Sequence, residues 1–380
     1  MNILIVGSDA NAYSIAKEMS KNENVDLIFV APGNEKIAKF AQCTDISEND
    51  IEELLDFSIA NEIFLTIVTS ISAIQNNIGE LFADARRMIF APTADAAMIS
   101  LYKSSAKKMM YRLKIPTIKF GIFEKENQAI EYASTFRKAL VIKNDTHILG
   151  ERPTFSATFS KAKSAIERCF TFPENKVIIE DYIDAKEVSM YFITDGYTAL
   201  PIGTCASDEK NFAYPESVYS PDYYISNELE LKILNEAIYP VIDDIASRYS
   251  PYCGIIGVDL FVDGENYNVI EYNPFFKQMH LQSILPLIKE DLYDLFLSSA
   301  SGSLSDEYKF IDFYNKTALS KIVGEKIDDE KSDDENLDIS YTSNSNAILT
   351  QCAKTLTRAR ENLSENLQFL TEKECEVKNG

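Results

Sequence analysis

Tryptophan is absent from the 380-residue chain, and histidine occurs only twice, at His147 and His280. Two histidines leave little material for a Ser/His or Cys/His nucleophilic pair, and no serine stands in a G-x-S-x-G setting. The six cysteines, Cys43, Cys169, Cys205, Cys253, Cys352 and Cys375, include no CxxC pair. With so few histidines this argues against a zinc site and for reduced, structural thiols. No apolar run has the ~20 residues needed to cross a bilayer. The start, Met1-Asn2-Ile3-Leu4-Ile5-Val6-Gly7, has no basic n-region and no signal cleavage site. A cytoplasmic protein without membrane contact is expected. Positive charge is scarce: 37 Lys plus Arg stand against 59 Asp plus Glu, a net −22. That balance disfavours a nucleic-acid partner. Glycine is thin where a dinucleotide would need it. The loop Gly7-Ser8-Asp9-Ala10-Asn11-Ala12 holds a single glycine and fails the dinucleotide fingerprint.

What is present is core-forming. Hydrophobic residues make up 46% of the chain, with 22 Phe and 20 Tyr, and the length suits two or three domains. Strand and helix signals alternate up to about residue 95. Apolar runs at Ile3–Val6, Val25–Val30, Ile63–Val68 and Met88–Ala91 predict strands, and Ala12–Met19, Ile51–Ala60 and Ile74–Leu81 predict helices. Such alternation argues for a parallel sheet with covered faces. Ala94–Leu113 predicts one long helix, stopped before Pro116. Ala139–Lys143 and Val177–Tyr182 read as buried strands. Glu187–Thr194 and Tyr197–Cys205 flank Asp195-Gly196, a hairpin signal. Leu229–Arg248 reads as helical. Gly254–Val262 and Tyr267–Asn273 flank Asp263-Gly264-Glu265-Asn266, a second hairpin, and Ile288–Ser298 reads as a helix. After about residue 300 the pattern weakens. An acidic run spans Asp328–Asp338, the reading of a solvated loop; Ala347–Thr350 predicts a strand and Thr355–Leu370 a helix.

The second hairpin carries chemistry. Alternate strand residues share a face, so Glu271 and Asn273 point the same way. Asp259 falls within one position of facing Glu271 across the turn. Two carboxylates ~5 Å apart repel by roughly 3 kcal/mol at an effective dielectric near 20, and a divalent cation reverses that sign. Carboxylates with a carboxamide suit Mg²⁺ bridging substrate phosphates, whereas a bland surface hairpin would leave them solvated. Lysines supply the matching charge. Lys103 and Lys107 are one helical turn apart, and Lys143 ends a buried strand. Each could equally be a surface lysine. Glu180 ends another buried strand, with Asp181, Tyr182 and Ile183 offering main-chain groups and Glu187 one strand length on.

These pieces are collinear with a known pattern. The opening strand and helix with Ala31-Pro32-Gly33-Asn34, Lys103-Ser104-Ser105-Ala106-Lys107 before Ile115-Pro116-Thr117, Val141-Ile142-Lys143-Asn144-Asp145, Glu180-Asp181-Tyr182-Ile183-Asp184-Ala185-Lys186-Glu187 and Ile270-Glu271-Tyr272-Asn273 resemble, in that order, the motifs of the glycinamide ribonucleotide synthetase family of the ATP-grasp superfamily. The resemblance covers nearly the whole chain, faintly after residue 300. It implies an α/β ATP-grasp fold. Residues 1–95 would form a Rossmann-like domain, 96–300 the ATP-grasp domain with 117–185 its smaller nucleotide-covering part, and 301–380 a small C-terminal α+β domain. It implies ATP with Mg²⁺ or Mn²⁺, and glycine and phosphoribosylamine as small-molecule substrates of a monomer or homodimer. ATP would phosphorylate the glycine carboxylate, and the amine would attack the acyl phosphate. On this resemblance Lys103 and Lys143 meet phosphates, and Lys107 belongs to the nucleotide site beside them. Glu180, Asp181, Tyr182 and Ile183 line the adenine, Glu187 meets the ribose, and Asp259, Glu271 and Asn273 hold the metal.

The chain departs from the family in three places. The family's glycine-rich "GLAAGKGV" loop becomes Thr146-His147-Ile148-Leu149-Gly150-Glu151-Arg152-Pro153, where Arg152 is the candidate to compensate on phosphate. Its "PNTGGMGAYSP" loop becomes Phe212–Pro221. The "RFGDPE" that follows "EFN" becomes Phe275-Phe276-Lys277-Gln278-Met279-His280 after Pro274. The ATP half of the pattern is partly present, while the acceptor half is largely rewritten. A ligase for another carboxylate and amine, or a relative that binds nucleotide or a protein without ligating, are the other readings this pattern allows.

Overall fold

A computed structural model describes the chain except residues 147–152, 173–174, 209–215, 220–224, 325–326, 328–333 and 372–380. Strands β1 (Asn2–Gly7), β2 (Leu27–Pro32), β3 (Gln42–Cys43), β4 (Ile63–Val68) and β5 (Ile89–Phe90) form a parallel sheet in the order β3-β2-β1-β4-β5. Its central strand is apolar from Ile3 to Val6, all four fully buried, because helices cover both faces. A second, antiparallel sheet holds β6 (Phe120–Phe123), β7 (Leu140–Asn144), β8 (Thr154–Ser156) and β9 (Val177–Asp181) in the order β6-β9-β7-β8. Helices Glu126–Ser134 and Phe159–Cys169 share one core with it through Ala129, Ala133, Ala162, Ala165 and Ile166.

The third sheet contains β10 (Lys186–Asp195), β11 (Ala199–Asp208), β12 (Glu216–Tyr219), β13 (Cys253–Asp263), β14 (Asn266–Asn273), β15 (Thr317–Val323), β16 (Leu337–Tyr341) and β17 (Ala347–Ala353). Their order is β14-β13-β10-β11-β12-β15-β17-β16, so strands from the last quarter of the chain continue the same sheet across β12. Helix Leu356–Thr371 packs on β15 and β17 through Ala359 and Leu363.

Several segments differ from their sequence pattern, each for a local reason. The helix expected over 94–113 is two helices, Met98–Leu101 and Lys103–Leu113, separated by Tyr102 in extended backbone. Asp145 makes the break: its Oδ1 accepts from Ser104 N at 2.7 Å, its Oδ2 from Ser104 Oγ at 2.8 Å, and its carbonyl from Lys103 N at 2.9 Å. A carboxylate satisfying the first free N–H groups of a helix fixes where that helix starts. The pattern at 74–81 likewise splits into Ile71–Gln75 and Ile78–Asp84, with Asn77 left-handed between them (φ 67°). The helix over 229–248 is Asn227–Ile233 and Tyr239–Arg248 joined by a π-type turn at Leu234–Ile238. Pro240 has no N–H for the regular ladder there. The pattern at 288–298 becomes the helix Leu292–Ser301, started by the Asp291 carboxylate on Tyr293 N and Asp294 N.

Candidate functional site

The β13–β14 hairpin closes through a two-residue turn, Gly264-Glu265, tighter than the four-residue turn expected. From the turn, pairs run in simple register as far as Leu260 opposite Val269. A bulge then adds one residue to β14, and Asp259 comes to face Glu271 and Gly257 to face Asn273. Without the bulge Asp259 would stand opposite Ile270, and every polar side chain of one strand would be out of step with the other.

Across the next pairing Ser189 faces Asp259 and Tyr191 faces Gly257. One face of the three strands therefore carries Glu187, Ser189 and Tyr191, then Gly257 and Asp259, then Glu271 and Asn273. The opposite face carries Val188, Met190, Phe192, Val258, Leu260 and Tyr272, packed on the helices of 227–248. Gly257 is required where it stands, since a Cβ there would lie 2.8 Å from the Tyr191 ring.

Asp259 is 1% exposed and fully engaged. Ser189 Oγ donates to its Oδ1 at 2.5 Å. Asn273 Nδ2 donates to its Oδ2 at 3.0 Å, and the Lys277 ammonium lies 2.8 Å from the same atom. Glu271 pairs with the Lys103 ammonium at 3.1 Å.

A second charge cluster lies where helix Lys103–Leu113 meets β7 and β9. The Glu180 carboxylate, 2% exposed, receives Lys107 at 2.6 Å on one oxygen and Lys143 at 2.7 Å on the other. Lys107 also donates to Thr117 Oγ1 at 2.9 Å, and Thr117 in turn donates to Val269 O at 2.7 Å, tying the cluster to β14. Burial pushes the Glu180 carboxyl up, but Lys143 and Lys107 outweigh it and hold the group below the usual carboxylate range. Burial pulls both lysines down. For Lys143 the charges of Glu180 and Glu271 prevail and raise it, while for Lys107 burial prevails and the ammonium is weakened. Lys277 is also raised: burial opposes its charge, and Asp259, Tyr191, Glu187 and Glu271 overcome that.

The structure thus brings Lys103, Lys107, Lys143, Glu180, Asp259, Glu271 and Asn273 into one seam between helix, small sheet and large sheet. Glu187 lies at its rim, half exposed, 3.6 Å from Lys277. Asp181 and Tyr182 do not supply their N–H groups, which donate to Lys119 O and Ala139 O. The Tyr182 ring is exposed and packs edge-on against Phe155. Beside this segment a cleft of about 370 Å³ opens between Ile183–Lys186 and Phe261–Asn268. A second cleft, about 330 Å³, lies between helix Ala10–Met19 and β16 and holds none of the expected residues. Arg152, and with it most of the altered glycine-rich loop, falls outside the described residues. So do most of the Phe212–Pro221 segment, the Asp328–Ser332 and Asp333 part of the acidic run, and Cys375.

Three partners were not singled out as site residues from sequence: Ser189, Thr117 and Lys277. Ser189 was legible as the next same-face residue after Glu187. Lys277 was legible as the one formal charge between Pro274 and Met279.

Does this donor set fit a metal? Both Asp259 oxygens are occupied, one by an ammonium, and Asn273 presents its donor rather than its acceptor. Asp259 does not fit a divalent ion. Glu271, partly exposed beside Lys103, fits a single-carboxylate contact to a cation carried on phosphate. Among the described residues no cluster of three or more His, Cys, Asp or Glu is poised to hold a metal.

Comparison with known proteins bears on this seam directly. The family profile of the phosphoribosylglycinamide synthetase N domain matches residues 1–100, and that of the phosphoribosylglycinamide synthetase ATP-grasp (A) domain matches residues 102–280. The phosphoribosylamine–glycine ligase of Caldanaerobacter subterraneus subsp. tengcongensis is 29% identical over 342 residues, 86% of this chain and 81% of that one. The crystal structure of phosphoribosylamine–glycine ligase from Thermotoga maritima superposes with a TM-score of 0.76 at 15% identity, covering 98% of this chain and 97% of that one. A biotin carboxylase from Campylobacter jejuni, solved as a β-γ-ATP complex, superposes with a TM-score of 0.73 at 16% identity over 94% and 88% of the two chains. The fold is ATP-grasp, and the seam lies inside the matched ATP-grasp domain.

Proposed function

We propose, from the premise that this chain belongs to the phosphoribosylglycinamide synthetase family, that it is an ATP-dependent ligase of purine biosynthesis joining glycine to phosphoribosylamine. The observation that carries the reading is the convergence of Lys103, Lys107 and Lys143 on one seam within the ATP-grasp domain. Three ammonium groups, two of them buried, form a phosphate site whose field is little screened by water.

The chemistry asks little covalent work of the protein. The γ-phosphoryl group passes to the glycine carboxylate, the P–O bond to ADP breaks, and an acyl phosphate forms. The amine of phosphoribosylamine attacks the acyl carbon, the C–N bond forms and inorganic phosphate leaves. No enzyme nucleophile is needed, in keeping with the scarcity of candidates. Rate acceleration comes from positioning and from fixed positive charge on the transferring oxygens. Lys103 and Lys143 hold phosphate oxygens, and Lys107 supports Lys143 through the shared Glu180. The adenine ring lies against Glu180–Ile183 and the cleft beside it, contacting carbonyls and Ile183 rather than the engaged N–H groups of Asp181 and Tyr182. Glu187 meets the ribose.

ATP-grasp ligases use ATP with a divalent metal. Mg²⁺ carried on the phosphates would be met by Glu271, with Asn273 beside it, and would neutralise phosphate charge. Residues 1–95 are the N-terminal unit and 96–300 the ATP-grasp unit, with 117–185 covering the nucleotide; residues 301–380, expected as a small separate domain, instead extend the large ATP-grasp sheet through the β12–β15 pairing, and the substrates are cytoplasmic small molecules.

The test has two stages. Mg-ATP at millimolar concentration raises the melting temperature if the site binds it. Phosphate is then released when glycine and freshly made phosphoribosylamine are both present. Absence of a thermal shift refutes the nucleotide site. Release with a different carboxylate–amine pair alone refutes the substrate assignment and keeps the ligase.

A further inference from the structure

The cation found at Asp259 is the chain's own. Lys277 follows Pro274-Phe275-Phe276, and its ammonium lies 2.8 Å from Asp259 Oδ2 and 3.6 Å from Glu187 Oε1. The backbone at this point is held from two sides. Asn11 Nδ2 donates to Phe276 O at 2.9 Å, and Lys277 N donates to Tyr191 OH at 3.1 Å. The Phe276 ring is buried against Tyr191, and Met279 turns the chain into helix His280–Ile284 with φ 72°. Lys277 is thus aimed at Asp259 by a pinned loop.

The remaining contacts agree. Ser189 fills Oδ1 of Asp259, and Asn273 shares Oδ2 with Lys277. Mg²⁺ demands carboxylate oxygens at about 2.0–2.1 Å in near-octahedral geometry. An ion that close to Oδ2 would share its oxygen with an ammonium, and like charges would meet with no water between them. Among the described residues, the ion pairs of the seam join four ammonium groups (Lys103, Lys107, Lys143, Lys277) to four carboxylates (Glu180, Glu187, Asp259, Glu271), so each of these carboxylates already has a cationic partner.

We propose that Lys277 is a resident cation that takes the place of a divalent metal at Asp259, so that nucleotide phosphates are bound here with one metal position fewer. Replacing Lys277 by an apolar residue of similar length opens a metal site made of Asp259, Glu271 and the carboxamide of Asn273. This deepens the reading of the seam as a nucleotide site and rests on it. Its test is therefore made without nucleotide, so that failure of ATP to bind and failure of the lysine exchange stay distinguishable.

The experiment is a Mn²⁺ titration of the full chain, reading bound ion by electron paramagnetic resonance and folding by circular dichroism. Wild type and Lys277→Arg show only weak binding that Asp259→Asn leaves unchanged. Lys277→Met gains a site at least tenfold tighter, and Lys277→Met/Asp259→Asn loses that gain. Equal Mn²⁺ binding by folded wild type and Lys277→Met overturns the proposal, as does a gain that survives loss of Asp259. If Lys277→Met does not fold, wild type against Asp259→Asn decides: tight wild-type binding that Asp259→Asn abolishes overturns the proposal, and weak binding indifferent to it supports it.

Discussion

Replacing Glu180 by glutamine removes the negative charge held between two buried ammonium groups. Lys107 stands 2.6 Å and Lys143 2.7 Å from its two oxygens. At an effective dielectric near 20, each contact is worth ~6 kcal/mol before desolvation is counted. Removing Glu180 also relieves its own desolvation, so the net loss follows the behaviour of broken buried pairs, about 3–5 kcal/mol at pH 7. The loss should depend on pH. Lys107 is already weakened by burial with Glu180 in place, and without Glu180 it is weakened further. Between its folded and unfolded pKa values the unfolded chain binds the extra proton, so stability rises with pH and part of the deficit is recovered under alkaline conditions. A second substitution sharpens the case: Glu180→Gln/Lys107→Met leaves one fewer unpaired charge and should regain at least half of the loss. With no tryptophan in the chain, urea denaturation is best followed by circular dichroism. A deficit below about 1 kcal/mol at pH 7, or one that does not shrink as pH rises, would refute the reasoning.

Gly257→Ala puts a methyl group 2.8 Å from the Tyr191 ring and should destabilise by about 1–3 kcal/mol; a change under ~0.5 kcal/mol in denaturant would mean the ring moves freely. His280 is buried, shares a hydrogen bond of 2.7 Å between its Nδ1 and Tyr191 OH, and is held well below 6.5 by burial and then by the charge of Lys277. The unfolded chain takes up that proton first as pH falls through about 6.5. Stability should then drop by ~1.4 kcal/mol per pH unit until the folded value is reached. His280→Asn should lack that increment, and equal slopes for the two proteins between pH 6.5 and 5.5 would contradict it. Lys143→Met should weaken ATP binding by about ten- to a hundredfold, or about 1.4–2.8 kcal/mol, read as a lost thermal shift. An unchanged shift would take Lys143 out of the phosphate site.

Much of the fold was legible because its elements bury on simple periods. The run Ile3–Val6 is fully buried in a central parallel strand, and Ile51–Ala60 and Ile63–Val68 have the bounds their apolar pattern predicts. The breaks were not legible, since their causes are distant in sequence. Helix 94–113 is cut at Tyr102 because Asp145, some forty residues on, satisfies the N–H groups of the second segment. The facing of Asp259 and Glu271 followed from alternation only to within one residue, and a bulge that no local signal announces sets the register. The lysines were found as residue types, but their pairing through Glu180 requires β7, β9 and helix Lys103–Leu113 to meet. Lys277 was seen only as a departure after Asn273. Its contact with Asp259 depends on the loop that Asn11 and Tyr191 pin, which no spacing in the sequence reveals.

The central claim is that this seam transfers phosphate from ATP to a glycine carboxylate, and oxygen tracing tests it most directly. With glycine labelled by ¹⁸O in its carboxylate, ATP and freshly made phosphoribosylamine, each inorganic phosphate released should carry one labelled oxygen. Phosphate released without label, or none released with all three substrates at millimolar concentration, would contradict it.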